Sequence, residues 1–190
     1  MSPFNKRIIP RFRGNISITS KWCSLGYNIR MDTFQLRNKT SGDDEWITGV
    51  ATKLWGSVQI ISKAHTYDIL NLPGIVGESD GKPVGFITFA VEGDACEIVA
   101  LYCALEKKGL GTQLIESVKE HAKLAGHHTV WLMTTNDNTV ALRFYQKRGF
   151  VITAVRVNVM EEQRKVKPTI PLLGNDGIPI RDEIELSIVV

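Results

Sequence analysis

The chain has 190 residues, 43% of them apolar and 23% charged, with three cysteines and a net charge of +3. That is enough for one core of ordinary size. No apolar run is long enough for a membrane helix. Cys23, Cys96 and Cys103 form neither a disulfide framework nor a zinc spacing, and His65, His121, His127 and His128 show no metal-ligand spacing.

The basic excess is local. Residues 1–30 hold Lys6, Arg7, Arg11, Arg13, Lys21 and Arg30 and no acid, which leaves residues 31–190 at −3. The charge therefore gives no argument for nucleic-acid binding, and a reducing cytoplasm is the natural setting. Residues 1–30 read as a flexible basic extension, or as residues upstream of a true start at Met31, and their deletion is expected to leave folding intact. Residues 31–190 read as a single domain.

Residues 32–37 alternate as a strand. Ser41-Gly42-Asp43-Asp44 supplies cap chemistry for a helix whose buried face is Trp46, Ile47, Val50, Ala51 and Leu54, ended by Gly56. Residues 57–73 stay open: Val58, Ile60 and Ile61 look strand-like, while Tyr67 to Leu70 could form a helical turn. Two strands follow, at 75–79 and 84–91, joined through Asp80-Gly81, a strong hairpin signal. The strand from Cys96 to Cys103 is apolar on both faces, as a central strand is. A helix from about Thr112 to Ala125 buries Leu114, Ile115, Val118, Ala122 and Ala125. Thr129–Thr134 is a second buried strand, and Asn136-Asp137-Asn138 caps a short helix closed by Gly149. A strand at 151–157, a charged turn or two at 161–167 and a strand at 184–189 complete the chain. Between the last two strands, 158–182 is a long excursion stiffened by Pro168, Pro171 and Pro179.

Between the central strand and its helix lies Glu106-Lys107-Lys108-Gly109-Leu110-Gly111-Thr112. Such a turn offers unpaired backbone N–H groups at a helix N-terminus and no bulky side chain, which is what a phosphate needs. It lacks the third glycine of a dinucleotide fingerprint, because Leu114 stands there, and the Gly-Lys-Ser/Thr of a P-loop. On its own it is a structural turn.

Its company is more specific. Leu101-Tyr102-Cys103, Lys108 to Thr112, Asn138-Thr139-Val140-Ala141 and Phe144-Tyr145-Gln146-Lys147-Arg148-Gly149-Phe150 resemble the two signature motifs of the GNAT superfamily of N-acetyltransferases. Residues 167–186 resemble a tract from a bacterial branch of it. The resemblance implies an α/β (α+β) fold: a mixed, mostly antiparallel twisted sheet with splayed central parallel strands, flanked by helices. It implies acetyl-CoA as co-substrate, no metal, and direct transfer to an amine of a small molecule or protein, with a homodimer among the allowed assemblies. Donor contacts fall on Leu101, Tyr102, Cys103, Lys108, Gly109, Leu110, Gly111, Thr112 and Asn138. Tyr145 takes the place of the tyrosine that protonates the departing thiolate; otherwise it is a core aromatic. Glu97 is the candidate base, acting through water, with a solvent-facing strand carboxylate as the plain alternative and Asp182 and Glu183 as rivals. Glu106 stands where the superfamily usually has Gln or Arg. A carboxylate there opposes a pyrophosphate, and Lys107 and Lys108 offset it. A non-catalytic acyl-CoA-binding module is the competing reading. The 158–182 excursion caps the acceptor end of the cleft, forms a dimer arm or lies inert on the surface.

Overall fold

The computed structural model describes residues 34–63, 65–105 and 108–190. The basic extension, Met31 to Thr33, and Glu106-Lys107 lie outside the described residues. The elements are β1 (Gln35–Asn38), α1 (Asp44–Trp55), β2 (Gln59–Ser62), β3 (His65–Asp68), β4 (Gly74–Ser79), β5 (Lys82–Glu92), β6 (Ala95–Cys103), α2 (Leu110–Leu124), β7 (Thr129–Thr135), α3 (Thr139–Gln146), β8 (Val151–Arg156), α4 (Val159–Val166) and β9 (Glu183–Val189). Seven strands make one sheet in the order β1-β4-β5-β6-β7-β9-β8, and β2 pairs with β3 apart from it. Within the large sheet every pair is antiparallel except β6–β7. The expected mixed, mostly antiparallel sheet with central parallel strands and flanking helices is what the chain forms.

The β4–β5 turn holds Asp80 and Gly81 at positive φ, 52° and 71°, the geometry that matches strand twist in a two-residue hairpin. One sheet face carries Ile87, Phe89, Cys96, Ile98, Val130, Leu132 and Leu186, which pack with Leu114, Ile115 and Val118 of α2 and Tyr145 of α3. The other carries Val76, Phe86 and Ala100 under Ile47 and Ala51 of α1. Each such buried aliphatic side chain contributes about 1.5–3 kcal/mol by leaving water.

The segment 57–73 is a hairpin, β2–β3, followed by a turn at Ile69-Leu70; no helical turn forms at Tyr67-Asp68. Leu54, placed by periodicity on the buried face of α1, is 51% exposed. The last contact of that helix is made by Trp55, edge-on to Phe86 at 6.3 Å. Ala125 is likewise exposed, because α2 ends at Leu124 and Ala125 is its C-cap. At its other end α2 starts two residues early. Gly109, at φ 92°, turns the chain so that Leu110 and Gly111 enter the first turn.

The long β8–β9 connection contains α4, whose Met160 and Gln163 are buried. Lys167 Nζ donates to Gln59 O of β2 at 2.7 Å, so α4 and the β2–β3 hairpin meet over the α1 side of the sheet.

Candidate active site

The parallel pairing of β6 with β7 runs only from Ala95↔Thr129 to Ile98↔Leu132. Beyond it the two strands share no ladder. The split starts at a β-bulge: Ile98 opposes Phe89 and Ala100 opposes Thr88, so Val99 has no partner across β5. A bulge bends and twists its strand, which turns β6 away from β7. Ala104 N donates to Val84 O of β5 at 2.8 Å. By alternation, Tyr102 also turns its main chain to β5, and Leu101 and Cys103 turn theirs into the fork.

α2 points its N-terminus at this fork. The N–H groups of Thr112 and Gln113 both reach Gly109 O at 3.1 Å, and those of Leu110 and Gly111 have no intrahelical acceptor. Among the described residues no side chain caps the end, and no acid stands in its first turn. Gly77 and Gly85 fix its place. A Cβ on either would stand 2.5 Å or 2.7 Å from a Leu110 methyl group, so two strands without side chains there let the helix sit directly on the sheet. Arg148 ties α2 to α3: its Nε and Nη2 donate to Thr112 Oγ1 at 3.0 and 2.6 Å, and its Nη1 to Phe144 O at 2.7 Å. Its guanidinium also stacks 3.4 Å from the Phe144 ring centre. The C-terminal dipole of α3 favours this cation, whereas the N-terminal dipole of α2 opposes it, so the pairing suits an anion bound beside both.

Tyr145 lies on the same side, between Phe144 and Phe150 with ring centres at 5.2 and 5.6 Å. Its hydroxyl makes no hydrogen bond to another described residue. Burial raises its pKa, with Cys103 adding to the rise and Arg148 opposing it, so the phenol is protonated at neutral pH. Burial also pushes the Cys103 thiol up to about 11, which leaves it a poor nucleophile. Asn138 is the N-cap of α3, its Oδ1 accepting from Ala141 N at 3.1 Å. Lys108 is exposed at the start of the turn.

The opposite face of the fork is polar. Cross-strand pairs share a face, so Glu97↔Trp131↔Ser187, Met133↔Glu185 and Thr135↔Glu183↔Arg156 stand together. Glu97 is 1% exposed. Tyr67 of β3 donates to its Oε2 at 2.9 Å, while Oε1 and the neighbouring Ser62 Oγ are buried with no partner at hydrogen-bonding geometry among the described residues. Burial raises the pKa of Glu97 above the ordinary glutamate range, against the pull of Ser62, Tyr67 and Lys63. A carboxylate held in this way is a stronger base than a solvated one. It does not face solvent, and its burial is the reverse of the plain alternative drawn from the strand pattern.

Glu183 is buried too. Gln163 Nε2 of α4 donates to its Oε1 at 2.5 Å, and Arg156 stands 3.8 Å from Oε2. Asp182 takes a different part: its oxygens accept from Asn158 N at 2.9 Å and from Arg181 Nε and Nη2, so it holds the start of α4 in place. The 167–182 loop is pinned by other residues. Arg164 donates to Ile170, Pro171 and Ile180 carbonyls, and Asn136 Oδ1 accepts from Arg181 N and Asp182 N. A groove of about 610 Å³ lies between α1 and the end of β6, lined by Trp46, Val50, Lys53 and Tyr102 among others, and does not include Glu97. Another, of about 430 Å³, lies on α3 along Leu142, Arg143 and Gln146 and reaches neither Glu97 nor Tyr145.

Sequence reasoning missed Lys63, Tyr67, Trp131, Gln163 and Glu185. One signal was present: Glu183, Glu185 and Ser187 alternate as a polar face on a strand whose other residues are Ile184, Leu186 and Ile188.

The profile of the acetyltransferase (GNAT) family matches residues 44–150. The Bacillus subtilis protein YxbD is 44% identical over 135 residues, covering 70% of this chain and 85% of that protein. YdhI of the same organism is 39% identical over 145 residues, covering 76% and 91%. Among solved structures, an acetyltransferase of Elizabethkingia anophelis with acetyl-CoA bound superposes with a TM-score of 0.65 at 20% identity, over 84% of this chain and 99% of its own. A Bacillus subtilis acetyltransferase in complex with CoA gives 0.62 at 19%, over 83% and 99%. At these identities the structural likeness is one of fold, and the profile and the two relatives carry the assignment. This chain belongs to the GNAT acetyltransferase family.

Proposed function

We propose that this chain is an acetyl-CoA-dependent N-acetyltransferase, transferring the acetyl group directly to an amine of a small molecule or protein. One observation carries the reading. The fork between β6 and β7 has an anion-suited helix end and a protonated phenol on one face, and a buried carboxylate with an unpartnered oxygen on the other. The CoA and acetyl-CoA complexes of the structural neighbours support acetyl-CoA as the donor, and the uncapped end of α2 is the reason for seating it on that side.

In this reading the pyrophosphate rests on the Lys108–Thr112 turn, and the pantetheine arm pairs with the main chain of Leu101 and Cys103. Asn138 adds a polar contact. The thioester then lies at the fork, where a strand N–H near Leu101 meets the tetrahedral oxyanion. The acceptor enters from the polar face and gives up a proton to Glu97, directly or through water. Its nitrogen bonds to the carbonyl carbon, the C–S bond breaks, and Tyr145 protonates the departing thiolate. Family membership supports acetyl transfer in general; the amine acceptor, the direct transfer, the donor contacts and the roles of Glu97 and Tyr145 are the proposed part.

Release of free CoA thiol across a panel of primary amines and lysine peptides tests it. Turnover with at least one acceptor, above hydrolysis of the donor alone, is the expected result. A donor-dependent rise in Tm with no acceptor turned over would instead identify a non-catalytic acyl-CoA-binding module.

A further inference from the structure

The polar face already holds an amine. Lys63, at the tip of the β2–β3 hairpin, adopts φ 47°, a left-handed conformation that costs a non-glycine residue about 1–2 kcal/mol. The conformation is offset by where it sends the side chain. Lys63 Nζ lies 3.5 Å from the centre of the Trp131 ring and 2.7 Å from Glu185 Oε2. Its charge is also felt by Glu97 and Glu183. An aromatic face and a ring of carboxylates make a seat for a primary ammonium. The seat stands beside the unpartnered Glu97 Oε1 and Ser62 Oγ, on the row Glu97↔Trp131 next to the point where β6 and β7 part. Lys63 keeps 31% of its side chain exposed, so it can leave the Glu185 pair by rotation of its own stem.

We propose that Lys63 is a self-acetylation site, its side-chain amine taking the acetyl group from the bound donor in place of an external acceptor. The inference rests on the donor reading above. The Nζ–carbonyl bond forms as the C–S bond breaks. Of the two protons leaving the ammonium nitrogen, one ends on the CoA thiol and the other passes through Glu97 to solvent. The products are an Nε-acetyl-lysine and free CoA, and no further reactant is needed. Acetylation removes the charge that holds Glu185 and covers Trp131.

The full chain is incubated with acetyl-CoA alone, and its Tm, intact mass and peptide map are followed together. A rise in Tm, the mass of one acetyl group and its location on Lys63 are expected, at a rate per molecule independent of protein concentration. Lys63→Arg keeps a cation over Trp131 and beside Glu185 but yields no stable amide. It should keep the Tm rise and lose the incorporation. Glu97→Gln should slow incorporation by about 100-fold or more. A Tm rise with no acetyl on Lys63 overturns the inference and leaves donor binding standing. So does acetyl spread evenly over exposed lysines such as Lys165, or the same rate at Lys63 in heat-unfolded protein. No Tm rise at millimolar acetyl-CoA removes the donor reading, and the inference with it.

Discussion

The two faces of the fork are built on opposite plans. The functional groups of the α2–α3 face come from one stretch of chain, Cys96 to Phe150, on a floor completed by β4, β5 and β9, and are main-chain groups, aromatic rings and the Arg148 guanidinium. The α1–α4 face gathers Lys63, Tyr67, Glu97, Trp131, Gln163, Glu183 and Glu185 from segments more than a hundred residues apart, and works with buried ionisable side chains. Main-chain donors survive most substitutions and fail only when the space is filled. Side-chain donors and acceptors fail one at a time, each leaving a partner buried and unpaired. A site of the first kind can serve many sequences, and a site of the second kind is specific to one.

The largest expected effect tests the first plan by filling it. A Cβ on Gly111 would stand 3.0 Å from Phe144 Cζ and 3.3 Å from Cys103 Sγ. Gly111→Glu adds to this a carboxylate at the helix end proposed for the pyrophosphate. The Tm rise caused by acetyl-CoA should vanish while circular dichroism keeps the native signature. A rise that persists would move the donor off this turn.

Next come two substitutions that should leave donor binding alone. Glu97→Gln is expected to lower kcat by about 1,000-fold, within the range of general-base catalysis, with the acetyl-CoA-induced Tm rise retained. The proposed base must be ionised to act, and burial raises the pKa of Glu97. Wild-type kcat/KM should therefore climb with pH through a window above the usual glutamate value, and the variant should lack that limb. Stability runs the other way. The native state keeps its proton where the unfolded chain has lost it, so this residue's contribution falls as pH rises from the unfolded value toward the folded one. Glu97→Gln should melt no lower than wild type at neutral pH. Tyr145→Phe should cost about 100-fold in kcat with little change in donor KM, because in the proposed reaction its hydroxyl acts only as charge develops on sulfur. Unchanged turnover would make Tyr145 a packing residue.

How much was legible follows the same division. The caps at Asn138 and Gly149 and the Asp80-Gly81 hairpin are local signals and stood where the pattern put them, while the glycine turn is shorter than expected because α2 takes in Leu110 and Gly111. The fork itself was expected from the resemblance, yet the Val99 bulge that opens it has no local signature, since it exists only in the register between β5 and β6. Tyr67 was lost inside a segment too polar for a buried strand and too short for a helix. Its β3 strand is held by β2 and by the bond from its hydroxyl to Glu97, 30 residues away. Trp131 read as one more apolar residue of a central strand. Only the closing strand β9, pairing with β7, shows that its row is polar.

The smallest effect concerns how the α1–α4 face is anchored. The Asp43 carboxylate, at the start of α1, accepts from Arg37 Nη1 and Nη2 at 2.8 and 2.7 Å and from Thr40 N at 2.8 Å. Arg37 also reaches Glu78 of β4 at 2.7 Å, so one guanidinium fastens α1 to the sheet edge. The Arg37 hydrogen bonds are the main reason that Asp43 is held down to about 2, with burial opposing them and Thr40 assisting. The folded pKa is depressed, so the stabilisation is complete above the unfolded value of about 3.9 and is lost as pH falls toward 2. Arg37 keeps about a third of its side chain in solvent, so screening reduces the contribution to about 1–2 kcal/mol. Asp43→Asn should lower the Tm at pH 7 by a few degrees and flatten its decline between about pH 4 and 2. Acetyl-CoA should still raise the Tm by the wild-type amount, because the α2–α3 face does not lean on this anchor. A lost donor response would show that the two faces are coupled through α1 and end the comparison drawn between them.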